Sequence, residues 1–370
     1  MRPQRQIAFF SLLAGFVAAF SVLALAATGI AQGLEAPQRV AFQISTGSTT
    51  GSYYPVGQML ADLLSHPPGV GRCQAVDVCG PVGLIVSTRA SEGSISNVNA
   101  ITSGNVSSGI AQADVVALAV AGKGAFAKTG PAKQLRVIAN LYGEDVHLLA
   151  AKNANIKSVA DLRGKRVSIS TEGSGTINTA RAVLAAYRLS ERSIVANYDS
   201  GEKATDLLQS GALDAVFYVG GTPVNLIQQL LDEGVAVLVP ITGEGRTRLL
   251  RAQPHLYAHT ITQGTYSGSG NVETVAVDAL WITDASQPET LVYGVVKSLF
   301  NPANRATINE ERVGAHFMEL AAAGKGTMAP LHPGAARFYM EMGVAVTEQQ
   351  PVAPTAPPAP PAAPPRAPAK

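Results

Sequence analysis

A unit of a buried strand, a loop rich in glycine and hydroxyl residues, and an amphipathic helix recurs along this 370-residue chain. Its first copy has an apolar, β-branched run over Arg39–Ser45, then a loop, then apolar residues at helical spacing over Tyr54–Leu64. Pro55 suits the first turn of that helix, because a proline there removes no intrahelical hydrogen bond. Strands that alternate with helices predict an α/β fold, with parallel sheets covered by helices on both faces.

Further copies of this unit follow along the chain. Predicted strands cover Leu84–Arg89, Gly109–Ala113, Leu135–Leu141, Val146–Ala151, Ala215–Tyr218 and Val235–Pro240. Predicted helices run from Ser94 to about Ser103 and over Val115–Ala121, Ile177–Tyr187, Ala204–Ser210 and Pro223–Glu233. Val159–Ser170 is predicted as a short helix, a tight turn at Gly164 and another strand. In such sheets a ligand binds beyond the carboxyl ends of the strands, so the strand-to-helix loops are the candidate site.

Three of these loops are rich in glycine and hydroxyl residues, namely Ser45–Tyr54, Gly93–Asn97 and Ser170–Asn178. Glycine lets the backbone approach a ligand closely, and the free N–H groups and dipole of a helix N-terminus favour an anion. Serine and threonine also cap helices and glycine also forms turns, so one loop taken alone fits a structural role better than a binding role. Three such loops at helix starts favour a reversible site for a small carboxylate.

Composition and motifs argue against several other functions. Nucleic-acid binding is not predicted, because the chain has no basic run, only 6% aromatic residues and a formal charge of +2. The sequence contains no serine-hydrolase elbow, Walker loop or paired-histidine zinc helix. Asp114, Asp145 and Glu172 could be acids in a cleft, but no base or nucleophile accompanies them in sequence. We therefore expect no enzyme, no metal site and no cofactor. The histidines are predicted as surface or core residues: His66, His147, His255, His259, His316 and His332.

The N-terminus has the layout of a secretory signal peptide. Two arginines precede an apolar run over Ile7–Ala27 that carries no charge, and small residues follow. Cleavage is expected after Ala31, which gives a signal peptide over residues 1–31, with Ala26 or Ala27 as alternative positions. The other interpretation is an uncleaved membrane anchor, because the apolar run is long enough to span a bilayer. Both place the rest of the chain outside the cytoplasm.

The C-terminus is set apart by its composition, since nine of residues 351–370 are proline and seven are alanine. Such a run lacks backbone donors and apolar bulk, so it predicts a polyproline II tether or a disordered tail. It could serve as a cell-envelope spacer or be dispensable. The remaining stretch, about residues 32–350, has a length that suits two domains.

The two cysteines, Cys73 and Cys79, are close together in sequence. In an exported protein an isolated close pair predicts a disulfide. The bond would close a small loop and contribute roughly 2–3 kcal/mol to stability. A zinc site is not expected, because no second cysteine pair completes the ligands and His66 is the only histidine near in sequence.

One loop motif points to a known family. Thr46–Gly57, with the sequence TGSTTGSYYPVG, resembles the N-terminal motif of the TAXI family, the solute receptors of tripartite ATP-independent periplasmic (TRAP) transporters. Later segments are similar to further motifs of that family in the same order: Glu92–Asn97, Ser103–Asp114, Asp161–Val167, Gly173–Thr176, Thr265–Tyr266 and His332–Ala335. The resemblance spans about residues 40–346, which is nearly the whole of the expected folded part.

The resemblance implies an α/β type II periplasmic-binding-protein fold, in which two lobes joined by hinge strands close over a ligand in the interlobe cleft. The hinge strands are expected near residues 143–151 and 275–283. Lobe 1 then comprises residues 38–147 and 277–346, and lobe 2 comprises residues 148–276. The ligand-binding positions carried over from the family are Gly47, Ser48, Tyr53, Ser94, Asn97, Gln112, Gly173, Ser174, Gly175, Thr176, Tyr218 and Gly221.

The implied function is a monomeric periplasmic receptor that captures a small carboxylate or an amino acid such as glutamate. Its partners would be the integral membrane subunits of a TRAP-type transporter. A ligand-sensing adaptor for a signalling partner and an envelope enzyme remain as alternatives. The chain departs from the family pattern at Ala113, where a serine is usual, and over residues 67–82, which look like an insertion. Glu172 adds a negative charge beside the presumed anion loop, where it either points to solvent or selects a ligand with an amino group.

Overall fold

The structure is a computed structural model that describes residues 39–310, 313–314 and 316–346. The expected signal peptide (residues 1–31) and the proline- and alanine-rich tail (residues 351–370) lie outside the described residues. Within the part that is described, no helix combines the length and the apolar character needed to cross a membrane.

Ten strands in the described chain join into one sheet. Most of them are short runs of apolar and β-branched residues, as expected for strands buried on both faces. The strands are β1 (Val40–Ser45), β2 (Leu84–Arg89), β3 (Ser108–Gln112), β4 (Leu135–Ala151), β5 (Arg166–Ser168), β6 (Val195–Asn197), β7 (Ala215–Gly220), β8 (Ala236–Leu238), β9 (Leu256–Ile261) and β10 (Val272–Asp284).

Helices pack on both faces of this sheet. They are α1 (Tyr53–Leu64), α2 (Ser94–Thr102), α3 (Ala113–Ala121), α4 (Gly175–Ala186), α5 (Gly201–Gln209), α6 (Asn225–Asp232), α7 (Gly243–Ala252), α8 (Glu289–Leu299), α9 (Arg305–Glu310), α10 (Leu320–Ala323) and α11 (Pro333–Glu341). Each helix predicted from the sequence is present, and most begin or end within three residues of the predicted position. The turn predicted at Gly164 has the left-handed backbone (φ +75°) that glycine adopts without strain.

The sheet is mixed, which corrects the expectation of parallel sheets. The strand order is β2-β1-β3-β10-β4-β7-β5-β6, with β8 beside β4 and β9 beside β10. β1 runs parallel to β2 and β3, and β5 runs parallel to β6 and β7. β4 and β10, however, are antiparallel to every strand that they pair with. The two parallel groups, with their helices, form two lobes, and the chain passes out along β4 and returns along β10.

A single strand, β4, replaces the two strands predicted over Leu135–Leu141 and Val146–Ala151. It is 17 residues long, and all but one of its residues are buried. The polar segment Gly143–Asp145 looks like a break in sequence, but the buried side chains of Glu144 and Asp145 find hydrogen-bond partners outside β4. β4 and β10 pair over Leu135–Asp145 and Ala276–Asp284, so both expected hinge segments lie in these two central strands.

The predicted disulfide between Cys73 and Cys79 is confirmed, with 5.2 Å between the two Cα atoms. Its loop packs on α8, where Asp77 forms a 2.9 Å ion pair with Lys297. This loop follows the C-terminal end of α1, while the loop before α1 leads to the cleft. The disulfide therefore lies about 18 Å from the cleft along α1, judged by the length of a 12-residue helix.

Candidate functional site

A cavity of about 80 Å³ lies between the two lobes, where the loops that precede α1, α2, α4 and α5 converge. Since a single water needs roughly 10–15 Å³ measured in this way, the space accommodates a small ligand of several non-hydrogen atoms. Side chains from both lobes enclose it. Its lining comprises Gly47, Ser48, Thr50, Gly51, Ser52, Tyr53, Glu92, Gly93, Ser94, Gln112, Glu144, Ser170, Ser174, Gly175, Thr176, Ser200, Gly201, Phe217, Tyr218 and Val219.

Nine of the twelve positions named from the sequence line this one cavity. They come from five separate stretches of chain, and β1, β3 and β7 deliver several of them at their carboxyl ends, as the rule for such sheets requires. The nine are Gly47, Ser48, Tyr53, Ser94, Gln112, Ser174, Gly175, Thr176 and Tyr218. The other three, Asn97, Gly173 and Gly221, lie outside the lining.

Asn97 holds the loops together from below the cavity. Its side chain is fully buried and accepts hydrogen bonds from the hydroxyl groups of Ser45 (2.6 Å) and Ser91 (2.7 Å). Its amide donates to the carbonyl oxygens of Thr46 (2.5 Å) and Ile110 (2.7 Å). The amide thus makes four buried hydrogen bonds to β1, β3 and the loop before α2, which fixes the shape of the site.

Gly173 and Gly221 lie beside the cavity, at positions where other residues come close to the backbone. The carbonyl oxygen of Gly173 accepts the backbone N–H of Ser96 at 3.0 Å, which joins the two lobes. A side chain at position 173 would overlap Glu92 and Ser96, so the contact requires glycine. Gly221 lines a neighbouring groove, separated from the cavity by the loop that carries Ser52.

Four residues form a continuous hydrogen-bonded chain on the floor of the cavity. The hydroxyl of Tyr53 donates to Glu144 Oε2 at 2.9 Å and lies 3.3 Å from Ser94 Oγ. Ser94 Oγ accepts the backbone N–H of Gln112 at 3.1 Å. Because Tyr53 has one hydroxyl proton, which it gives to Glu144, the Ser94 hydroxyl donates to Tyr53. All the donors of this chain therefore point toward Glu144 when its carboxyl group is ionised.

Glu144 is the functional candidate that the sequence did not reveal. It belongs to β4, is 1% exposed and lies against the cavity. Burial raises its pKa to about 8; the hydrogen bond from Tyr53 opposes this rise, and the charges of Asp114 and Asp278 add to it. The only signal in the sequence is a pair of adjacent acids in a segment that joins two apolar runs.

The wall opposite this floor comes from the second lobe. Ser174 caps α4, since its hydroxyl accepts the N–H of Ile177 at 3.3 Å and donates to the carbonyl of Thr171 at 3.0 Å. Ser174 therefore has the helix-capping role that was the structural alternative for this loop. At the next residue, Gly175, a Cβ atom would overlap Gln112 Oε1 and lie 2.7 Å from Ser94 Oγ. Glycine is therefore needed for the lobes to meet here.

Tyr218 forms an aromatic wall that buried residues hold in place. The ring of His147 contacts it edge-on at 6.2 Å, and Tyr266 hydrogen-bonds to His147 Nε2 at 2.9 Å. Burial lowers the pKa of His147, so this histidine is a neutral core residue, as the sequence predicted. Asp145 bonds to Thr222 and His259 and does not line the cavity.

Asp114 and Glu172 also lie outside the cavity lining. Asp114 bridges the lobes, with hydrogen bonds of 2.8 Å to Asn178 and 3.1 Å to Thr179. Glu172 is exposed and points to solvent, the first of the two outcomes considered for it.

The electrostatics of the cavity combine helix N-termini with carboxyl groups. Residues at the start of α1, α2, α4 and α5 line it, and each helix start presents free N–H groups that favour an anion. Its only ionisable acids are Glu92 at the rim and Glu144 on the floor, and no Lys, Arg or His is among the lining residues. Within the described chain, no cluster of three or more His, Cys, Asp or Glu is placed to hold a metal ion.

Comparison with solved structures agrees with this architecture. The chain resembles a structure described as a periplasmic transporter, with 12% identity, coverage of 83% of this chain and 94% of that chain, and a TM-score of 0.50. It is also similar to MatC from Rhodopseudomonas palustris with bound malate (13% identity, 83% and 97% coverage, TM-score 0.49). A further similar structure is the aliphatic sulphonate-binding protein SsuA from Escherichia coli (17% identity, 82% and 79% coverage, TM-score 0.42).

At these identities the likeness concerns the fold alone. The mixed α/β fold, with two lobes and a pair of central crossing strands, is that of the periplasmic binding proteins. The chain belongs to the NMT1-like family, whose model matches residues 44–343. The match covers every residue that lines the cavity.

Proposed function

We propose that this protein is an extracytoplasmic solute-binding receptor of the TAXI type, which captures a small carboxylate or an amino acid for a TRAP-type transporter. The observation that carries the proposal is the interlobe cavity, where four helix N-termini and several hydroxyl groups meet. Such a site binds an anionic group through many weak donors, without a buried cation, and so binds it reversibly. Binding MOPS, malate or L-glutamate is ascribed to other proteins of similar fold, which is compatible with a small acid here.

Capture by closure fits the placement of the polar groups. Gly175 meets Gln112 and Asp114 meets Asn178 across the lobes, so a ligand between the lobes would stabilise their closed arrangement. The cavity residues offer hydrogen bonds but no cysteine, histidine or lysine as nucleophile or base, which favours binding over catalysis. We propose the lobe boundaries given above, residues 38–147 and 277–346 for the first lobe and 148–276 for the second.

Export by the N-terminal segment would place this receptor in the periplasm, as a monomer that meets the membrane subunits of its transporter. The cut after Ala31 would release it, and an uncleaved segment would tether it to the membrane.

A thermal-shift screen tests the receptor function directly. The mature protein, residues 32–370, is heated with each member of a panel of carboxylic acids, amino acids and amides. A ligand that binds only the folded state stabilises it by about 2.7 kcal/mol at 100 times its Kd, so at least one small acid should raise the Tm. If no acid, amino acid or amide raises the Tm, the receptor proposal fails.

The transport role has its own test. Deletion of the gene should abolish uptake of the radiolabelled ligand found in the screen, and neighbouring genes should encode membrane subunits with many spans. A neighbouring sensor kinase together with unchanged uptake would instead favour the sensory adaptor.

A further inference from the structure

Hydrogen-bond acceptors dominate the floor of the cavity. Glu144 and Gln112 are 1% and 2% exposed, and both side chains lie against the enclosed space. Glu92 adds a second carboxyl group at the rim, and no cationic side chain is among the lining residues. Glu144 already accepts a hydrogen bond from Tyr53, but a ligand that only accepted hydrogen bonds would leave Gln112 Oε1 without a donor, and unpaired buried polar groups are costly.

The most specific indication that the cavity lacks a hydrogen-bond donor is found at Gln112. Its Oε1 atom is fully buried and has no hydrogen-bond partner in the described part of the chain. The atom lies so close to Gly175 that a side chain there would overlap it, so it sits where the two lobes meet. A buried amide oxygen of this kind is suited to accept an N–H from a bound molecule.

The hydrogen-bonded chain on the floor begins at the backbone of the same residue, Gln112, and ends at Glu144. The backbone N–H of Gln112 donates to Ser94, Ser94 to Tyr53, and Tyr53 to Glu144 Oε2. Ser52, which lines the cavity, also hydrogen-bonds to the carboxyl group of Glu144. A carboxylate accepts up to four hydrogen bonds, so Glu144 keeps acceptor capacity for a ligand. The negative end of the floor thus faces the bound molecule.

We propose that the cavity selects solutes that carry an ammonium group beside a carboxylate, and that Glu144 and Gln112 accept the hydrogen bonds of that ammonium group. Glu144 is then the specificity-determining residue, since only a zwitterionic amino acid supplies the positive charge. The carboxylate of the same ligand lies against the N-terminal turns of α4 and α5, across the cavity. This inference rests on the proposed receptor function and narrows its substrate class to α-amino acids.

The ionisation of Glu144 is consistent with this assignment. With its pKa at about 8, the carboxyl group of the empty site holds a proton at neutral pH. A ligand ammonium group beside Glu144 stabilises the ionised carboxylate, which burial otherwise disfavours. The carboxyl group therefore releases its proton to solvent as the ligand binds. The ligand ammonium takes the place of the proton, so the charge around Glu144 stays close to neutral in both states. The ligand carboxylate adds one negative charge, which faces the N-terminal turns of α4 and α5.

The test compares matched ligands on the full mature protein. Each proteinogenic amino acid that has a primary amino group is paired with its 2-oxo acid, and binding is measured by isothermal titration calorimetry. The wild type should bind at least one amino acid about 30-fold or more tightly than the matching 2-oxo acid, as expected for loss of a buried charge pair. This comparison needs no variant and stays valid if a substitution impairs folding.

Two variants then locate the effect. Glu144→Gln keeps the size of the side chain and an oxygen for Tyr53, so it should erase the preference for the amino acid while the protein still folds. Glu172→Gln removes an exposed charge from the loop beside α4 and should leave the preference unchanged. Equal affinity for amino and 2-oxo acids, or a preference that survives in Glu144→Gln, overturns the inference but leaves the receptor function standing. Binding of neither ligand class, in a protein that binds no other acid or amide, overturns both.

Discussion

Glu144 shows how a single buried carboxyl group can serve a binding site at the expense of stability. The group faces Tyr53 on α1, Asp114 on α3 and Asp278 on β10, with Tyr142 and Tyr218 also close enough to interact with its charge. None of these neighbours is a cation. In the absence of a ligand, ionising Glu144 therefore works against the folded state.

The stability of the free protein should fall as the pH rises from 5 to 8. The pKa of Glu144 is about 8 when folded and about 4.5 when unfolded, so the folded state holds more protons between these values. When the native state binds more protons, the free energy of unfolding decreases with pH, here by about 3–4 kcal/mol between pH 5 and 8. The side chain in Glu144→Gln cannot ionise. The free energy of unfolding of this variant, measured by chemical denaturation, should therefore increase relative to that of the wild type as the pH rises.

The exposed Glu172 provides the matched control for that experiment. Glu172→Gln should follow the pH profile of the wild type, because Glu172 is exposed and lies outside the cavity lining. A Glu144→Gln profile parallel to the wild type from pH 5 to 8 would show that Glu144 titrates normally in the folded protein.

Individual roles such as that of Glu144 depend on contacts that are distant in sequence. Tyr53 and Glu144 are 91 positions apart, and the partners of Asn97 are on two strands and a loop. The sequence placed Asn97 correctly in the first turn of a helix, but the residue lies outside the cavity lining, not among the residues that face a ligand. It could not show that the amide turns inward, since that depends on the tertiary packing of β1 and β3.

At the scale of elements, the site is built from helix starts. The pattern of apolar residues, glycine and hydroxyls located these starts because each is a local signal, so α1, α2 and α4 and their loops followed from the sequence. The sequence did not predict that β4 and β10 are antiparallel to their neighbours, because the direction of a strand in the sheet depends on which lobe the chain enters next. For the same reason the polar segment of β4 looked like a loop between two strands.

The first turn of α4 should tolerate no side chain at position 175. In Gly175→Leu the added atoms overlap Gln112 and Ser94, which belong to the other lobe. Separation of the lobes relieves this overlap without unfolding either one, so ligand affinity should fall about 10- to 100-fold, the equivalent of 1–3 kcal/mol of overpacking. The free energy of unfolding should change by less than about 1 kcal/mol. Calorimetry with the ligand and denaturation without it measure the two quantities.

A leucine placed elsewhere on α4 separates a local effect from a general one. Ala185 is exposed near the end of the same helix, so Ala185→Leu should leave both affinity and stability close to the wild type. Unchanged affinity in Gly175→Leu would refute the role assigned to the α4 loop.

At the scale of the whole molecule, the described parts of the two lobes are connected by the central strands β4 and β10, by an apolar cluster that spans both lobes, and by contacts around the cleft. Some of these contacts are buried and polar, such as Asp114 with Asn178. Others lie at the cavity wall, where Thr50 of the first lobe faces Gly201 of the second. A hinge in the central strands would open and close the wall contacts. One apolar cluster, which includes Val115 of the first lobe and Ile177 of the second, spans both lobes and limits how far they can separate.

Closure should therefore be measurable as a disulfide formed across this wall. A Cβ atom at Gly201 would lie 3.5 Å from Thr50 Oγ1, which is within reach of a disulfide between Thr50→Cys and Gly201→Cys. Because the ligand favours the closed arrangement, it should accelerate formation of this bond in a glutathione buffer by at least about fivefold, the lower end of typical coupling between a ligand and a conformation. Peptide mapping by mass spectrometry distinguishes it from the native Cys73–Cys79 bond.

The control is the pair Thr49→Cys with Gly201→Cys, because Thr49 lines the outer groove rather than the cavity. Its disulfide should form slowly with or without ligand. Equal rates for Thr50→Cys with Gly201→Cys in the presence and absence of ligand would mean that the lobes do not close on binding.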